Sequence, residues 1–151
     1  MSNKIKVTQV FKVAYPPSVG GIESDIKQIF DSIPDDKYDK EILCCSNSMK
    51  SELINNVKYI RCKYLFEFAA NYISPEFIYK LSKTDTDILH YHMPCIFAII
   101  AHYLARPKYK KMIISFHSQF KPAQHRIRAI YFNSTHFVKV FICAVGAFVV
   151  K

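Results

Sequence analysis

Two adjacent glycines, Gly20 and Gly21, lie in Tyr15-Pro16-Pro17-Ser18-Val19-Gly20-Gly21-Ile22-Glu23-Ser24, between an apolar run of strand character and the first helical pattern. Without Cβ atoms, such a turn lets a ligand approach the backbone, and the free N–H groups of the helix's first turn carry the positive end of its dipole. A phosphate group suits that arrangement. The pair is not a dinucleotide fingerprint, since G-x-G-x-x-G is absent, nor a P-loop, since no Gly-Lys-Ser/Thr follows. A tight strand-to-helix turn is the competing explanation.

Two histidine segments offer further chemistry. In His90-Tyr91-His92-Met93-Pro94 the histidines are two apart and share one face if the strand runs through both. His90 lies inside an apolar run and reads as a hydrogen-bonded core residue, whereas His92 precedes Met93-Pro94, where the strand must end, and is better placed to reach a ligand. An H-x-H pair also suits zinc or iron, but no carboxylate follows Asp87, which argues against a hydrolytic metal centre. His117 and Ser118 supply an imidazole and a hydroxyl beyond another strand, with no partner that would make a nucleophilic triad; Ser118 serves equally as a helix cap. Asp85-Thr86-Asp87 has D-x-D form but precedes its strand, and so belongs to the opposite edge of a sheet.

The elements that position these residues alternate between strand and helix patterns, which predicts an α/β fold: a Rossmann-like, doubly wound parallel sheet in a single domain. Strands are expected at Ile5 to Val13, Glu41 to Cys45, Val57 to Cys62, Asp87 to Tyr91 and Met112 to Phe116. A helix follows Ile22, Ile26, Ile29, Phe30 and Ile33 and stops at Pro34-Asp35-Asp36. Ser74-Pro75-Glu76 has the form of an N-cap followed by proline at the first helical position, opening a helix through Lys83, and Cys95 to Ala105 reads as a buried helix. Numbering the five strands in chain order, a spatial order of 3-2-1-4-5 places the glycine pair, the His90–His92 segment and His117-Ser118 along one edge, at the crevice where such sheets bind ligands.

Composition limits the function classes. The chain has 151 residues, half of them hydrophobic, and a formal net charge of +9. All 12 acids lie at or before Asp87, while 9 of the 21 Lys/Arg follow it, so the charge excess is C-terminal. Such a surface attracts phosphates, anionic lipid or an acidic partner, and peripheral contact with an inner membrane face is one expectation. Nucleic acid is a weaker reading, because no nucleic-acid motif accompanies the charge. Five cysteines, odd in number and without C-x-x-C spacing, read as reduced core residues of a cytoplasmic protein. The first residues lack an apolar signal region, and the apolar stretch from Phe137 to Val150 falls short of the roughly 20 residues of a spanning helix.

Pro16-Pro17-Ser18-Val19-Gly20-Gly21-Ile22-Glu23, Asp87-Ile88-Leu89-His90-Tyr91-His92-Met93-Pro94 and Ser115-Phe116-His117-Ser118 together resemble, in order and spacing, the N-terminal domain of glycosyltransferase family 4. The resemblance is clearest over residues 4 to 120; residues 121 to 151 are atypical. It implies half of a GT-B architecture, in which two Rossmann-like domains face each other across a cleft, and retaining transfer of a sugar from a nucleotide-diphosphate sugar to a glycan or lipid-linked acceptor without an obligatory metal or other cofactor. On that resemblance His92 contacts the transferred sugar. Gly20 and Gly21, with Ile22 and Glu23 beside them, approach the diphosphate, while His117 and Ser118 shape the acceptor pocket. The family's second domain carries a glutamate pair separated by seven residues, but the last glutamate of this chain is Glu76. The resemblance therefore implies a partner domain outside the chain, as in a truncated reading frame or a split enzyme. The alternative is a non-catalytic remnant or binding module that keeps the fold.

Overall fold

The computed structural model describes residues 4–117 together with the strands at 130–133, 139–143 and 146–150. Its centre is a seven-stranded sheet built from β1 (Ile5–Val10), β2 (Tyr38–Ser46), β3 (Lys50–Ile54), β4 (Val57–Lys63), β7 (Asp85–Met93), β8 (Lys108–Phe116) and β9 (Ile130–Asn133). A hairpin of β5 (Phe66–Phe68) and β6 (Asn71–Ile73) and another of β10 (Lys139–Cys143) and β11 (Gly146–Val150) stand apart from it. The helices are α1 (Gly21–Ser32), α2 (Pro75–Ser82) and α3 (Ile96–Ala105).

The sheet order is β3-β4-β2-β1-β7-β8-β9. The five strands from β4 to β8 are parallel, and the two edge strands, β3 and β9, run antiparallel. The parallel core matches the expected 3-2-1-4-5 order, and this mixed α/β arrangement is compatible with a Rossmann-like fold. Because β1 connects leftward to β2 and β7 rightward to β8, right-handed crossovers send α1 and α3 to opposite faces. Residues buried on both faces explain why the central strands read as continuous apolar runs, such as Ile42-Leu43-Cys44-Cys45 in β2.

Local chemistry sets the element ends. Ser74 Oγ accepts the Phe77 N–H at 3.0 Å and Pro75 opens α2, the cap expected from the sequence. The first helix buries Ile26 and Phe30, and buried Lys40 of β2 donates to the Phe30 carbonyl at 2.6 Å while pairing with Asp35 at 2.5 Å. That anchor closes the α1–β2 turn where Pro34 stops the helix. Strand β1 ends at Val10, three residues earlier than expected, although Phe11 N–H still donates to Leu43 and Cys45 N–H to Lys12. Strand β7 is longer at both ends than expected, beginning at Asp85 and running through Met93, because β8 pairs with it as far as Met93↔Phe116. Cys44, Cys45, Cys62 and Cys95 are free and buried, and burial pushes the Cys44 and Cys62 thiols up to about 12, where they are inert. No helix among the described residues is long and apolar enough to cross a membrane.

Candidate functional site

Strands β1 and β7 are neighbours whose connections leave in opposite directions, so their carboxyl ends open the crevice of the sheet. Three chain segments meet there. Gly20 is the N-cap of α1 and Gly21 its first residue; His92 is the penultimate residue of β7; His117 follows β8 directly, its N–H donating to the Met93 carbonyl at 2.9 Å.

The histidines form a line. His117 Nε2 lies 2.9 Å from His92 Nδ1, and His92 Nε2 lies 2.7 Å from the Gln9 Oε1 position on β1. At the outer end His117 Nδ1 lies 3.2 Å from the Asp25 carboxylate, whose side chain is about half exposed. Asp25 is one turn along α1 from Gly21, so this line connects the glycine helix to the ends of β7 and β8. The His92 and His117 rings stack at 5.1 Å. His90, on the same face of β7, sits 4.2 Å from His92 and hydrogen-bonds with Ser115 Oγ at 2.8 Å.

His90 is therefore the hydrogen-bonded core residue that its apolar surroundings suggested. His92 departs from expectation, since it is fully buried with both ring nitrogens engaged, whereas the sequence placed it at a strand end open to a ligand. The pairing with β8 carries β7 past His92, and Gln9, Phe11 and His117 close around its ring. Burial, aided by the neighbouring His117, holds His90 down to about 4; burial, then His90 and His117, holds His92 down to about 2. Both rings are neutral at pH 7, as donors or acceptors and not as cations. Ser118 lies outside the described residues.

At the glycine pair the structure separates two roles. Gly20 has an extended backbone (φ −161°) open to any residue, but a Cβ there would come within 2.4 Å of Glu23 Oε2. The Glu23 side chain is folded back over the start of α1, buried, with Ser18 Oγ donating to its Oε1 at 3.0 Å. A carboxylate from the chain itself thus covers Gly20. A Cβ on Gly21 would meet no atom within 4 Å, so the space beside Gly21 is open. Ile22 packs partly buried against the core. Gly20→Ala should displace the Glu23 carboxylate and cost about 1 kcal/mol, whereas Gly21→Ala should be neutral or stabilising by up to about 1 kcal/mol, because alanine is the better helix former. Urea denaturation of the two variants reads the contrast, and equal effects would contradict it.

Among the described residues no group of three or more His, Cys, Asp or Glu could hold a metal ion. The Asp85-Thr86-Asp87 segment is at the amino edge of the sheet, as expected, although it forms the first three residues of β7 and does not precede the strand. There Asp87 accepts the Lys6 N–H at 2.8 Å and pairs with Lys110 at 2.5 Å, contacts that hold its carboxyl below the usual range. Sequence reasoning missed Gln9, Asp25 and Ser115. Gln9 carried a signal, being an uncharged polar residue inside a central apolar strand; Ser115 stood in the Ser115–Ser118 segment without a role, and Asp25 carried none. Another missed group is Arg61 of β4, which donates to the Pro16 carbonyl at 2.5 Å and pairs with Glu52 at 2.6 Å, tethering the start of the glycine loop to the sheet.

Over 131 residues the chain is 28% identical to O-antigen chain mannosyltransferase C of Escherichia coli. The chain is related to a glycosyltransferase. The alignment takes in 84% of this chain and 35% of that enzyme, so the chain spans about a third of the length of the relative it matches. No family model matches the chain, and no solved structure matches it. The relationship supports sugar transfer in general.

Proposed function

We infer that this chain is the acceptor-side domain of a family 4 glycosyltransferase of GT-B architecture, and that it works with a donor-binding domain outside the chain. The observation that carries this reading is the alignment with a mannosyltransferase across 84% of the chain. The crevice at the β1–β7 switch point, with the glycine helix and both strand ends around it, supports it independently. The substrates are a nucleotide-diphosphate sugar and a glycan or lipid-linked acceptor. The donor's diphosphate approaches α1 on the open side beside Gly21, where backbone N–H groups stabilise the leaving group's charge. Glu23 already fills the space over Gly20, which leaves Gly21 as the point of approach.

The buried, neutral His92 acts in this reading as a hydrogen-bonding scaffold behind His117, and any contact of His92 with sugar requires the partner domain or a shift of His117. Peripheral attachment to the cytoplasmic face of a membrane fits the same reading. Ile96, Ile100, Tyr103 and Leu104 are exposed along α3, and Arg106 and Lys108 follow its end. Apolar side chains beside basic ones suit an anionic lipid surface.

The test is turnover. The chain by itself should release little or no nucleoside diphosphate, and the chain combined with a complementary donor domain should turn over at least one nucleotide sugar, with more turnover when anionic phospholipid vesicles are added. Gly21→Ala should weaken donor binding without loss of fold. Absence of turnover across a broad donor and acceptor panel would count against the enzymatic reading, and an unchanged rate with vesicles would count against membrane attachment.

A further inference from the structure

The line from Asp25 to Gln9 constrains where its protons sit. The negative charge of the Asp25 carboxylate, 3.2 Å from His117 Nδ1, favours a proton on that nitrogen. With one proton on that ring, His117 Nε2 is a lone pair and must accept from His92 Nδ1–H across 2.9 Å. Burial keeps His92 neutral, so its Nε2 is then a lone pair as well and needs a donor at 2.7 Å. Gln9, fully buried on β1, has that donor. As oriented, its Oε1 faces His92 and its Nε2 has no partner among the described residues. Amide oxygen and nitrogen positions exchange by a half-turn of the side-chain amide, and the half-turn gives the orphaned N–H₂ a partner. It leaves a carbonyl oxygen unpaired in its place, the more tolerable of the two orphans.

We propose that Asp25 and Gln9 are positioning residues that fix the tautomers of His117 and His92 through two hydrogen bonds, from the Gln9 amide to His92 and from His92 to His117, closed at the outer end by the charge of the Asp25 carboxylate beside His117 Nδ1. Each donor in the chain points toward the crevice mouth, and the half-exposed carboxylate on α1 sets the proton position on a ring buried two links away. His90 is a separate branch, engaged with Ser115. The bearing of this chain on catalysis rests on the sugar-transfer reading; the proton positions do not.

Ring-nitrogen NMR of the 151-residue chain labelled with ¹⁵N at histidine tests this without any turnover assay, with His92 and His117 assigned by comparison with His92→Gln and His117→Gln. At pH 7 both residues should be protonated on Nδ1 and not on Nε2. In Asp25→Ala the chain of bonds should reverse: His117 moves its proton to Nε2, and the protonated and unprotonated nitrogen signals of His92 exchange completely as it turns to donate to the Gln9 oxygen. Asp25 is exposed on a helix, where alanine is well tolerated, and unchanged His102 signals would show the fold intact. A proton on His92 Nε2 in the unsubstituted chain, which would require a second proton on His117, overturns the proposal. So does a His92 signal that ignores Asp25→Ala.

Discussion

Lowering the pH from 7 to 5 should remove roughly 4 kcal/mol of the chain's folding stability, a large share of the 5–15 kcal/mol typical of a domain. The cause is the pair of buried imidazoles on β7. His90 is held down to about 4 and His92 to about 2 by burial, first of all, whereas both titrate near 6.5 once unfolded. Between those values the unfolded chain binds protons that the folded chain refuses, so stability is complete above about pH 6.5 and falls as the pH drops toward 4. The slope approaches roughly 3 kcal/mol per pH unit for the two together. His102, lowered by burial, adds in the same direction. Asp35 and Asp87, whose carboxyls are held below their usual range by Lys40 and Lys110, lose their contributions only below about pH 4, so the window from 7 to 5 belongs to the histidines. Urea unfolding at a series of pH values measures the slope. His90→Asn should cut it by about half, and a pH-independent midpoint between 7 and 5 would show that these rings are hydrated.

Phe77→Ala should destabilise the chain by about 3–5 kcal/mol, the usual cost of deleting a buried phenyl ring. Phe77 is 1% exposed and its ring lies 5.8 Å from that of Phe97, tilted by 50°, so it joins α2 to α3 and both to the sheet. Tyr79, on the same helix but 59% exposed, is the control: its replacement by alanine should cost no more than about 0.5 kcal/mol, even with the Lys83 ammonium 5.7 Å from its ring. Thermal or urea denaturation separates the two. A Phe77→Ala cost near that of Tyr79→Ala would mean that α2 does not close the core, and the α3 face behind it would then be misplaced as well.

The parallel core was legible in the sequence because strands covered on both faces appear as apolar runs, and the helices between them bury one periodic stripe. The antiparallel additions were not. Strand β3 is largely exposed and reads as ordinary polar chain, although Asn55 and Asn56, at φ 48° and 61°, make the two-residue turn that asparagine favours before β4. The turn between β5 and β6 carries no such signal, since Ala69 and Ala70 adopt φ 48° and 58° without the side chains that favour that region. Composition and spacing cannot register a conformation that the local residues disfavour.

For the candidate site, the sequence by itself determined which segments meet: the strand order puts the glycine pair, the end of β7 and the residue after β8 on one edge, because crossover handedness leaves few other arrangements. Only the tertiary structure decided what those residues do to one another. Gln9, Phe11 and His117 closed around His92, which its neighbouring proline had suggested was open; Glu23 folded onto Gly20; Asp25, unremarkable in sequence, and Gln9 became the two ends of the histidine line. Hydrogen bonds between side chains 25 and 83 positions apart depend on distances of tenths of an ångström, and the periodicity of a sequence sets which face a residue takes but not those distances.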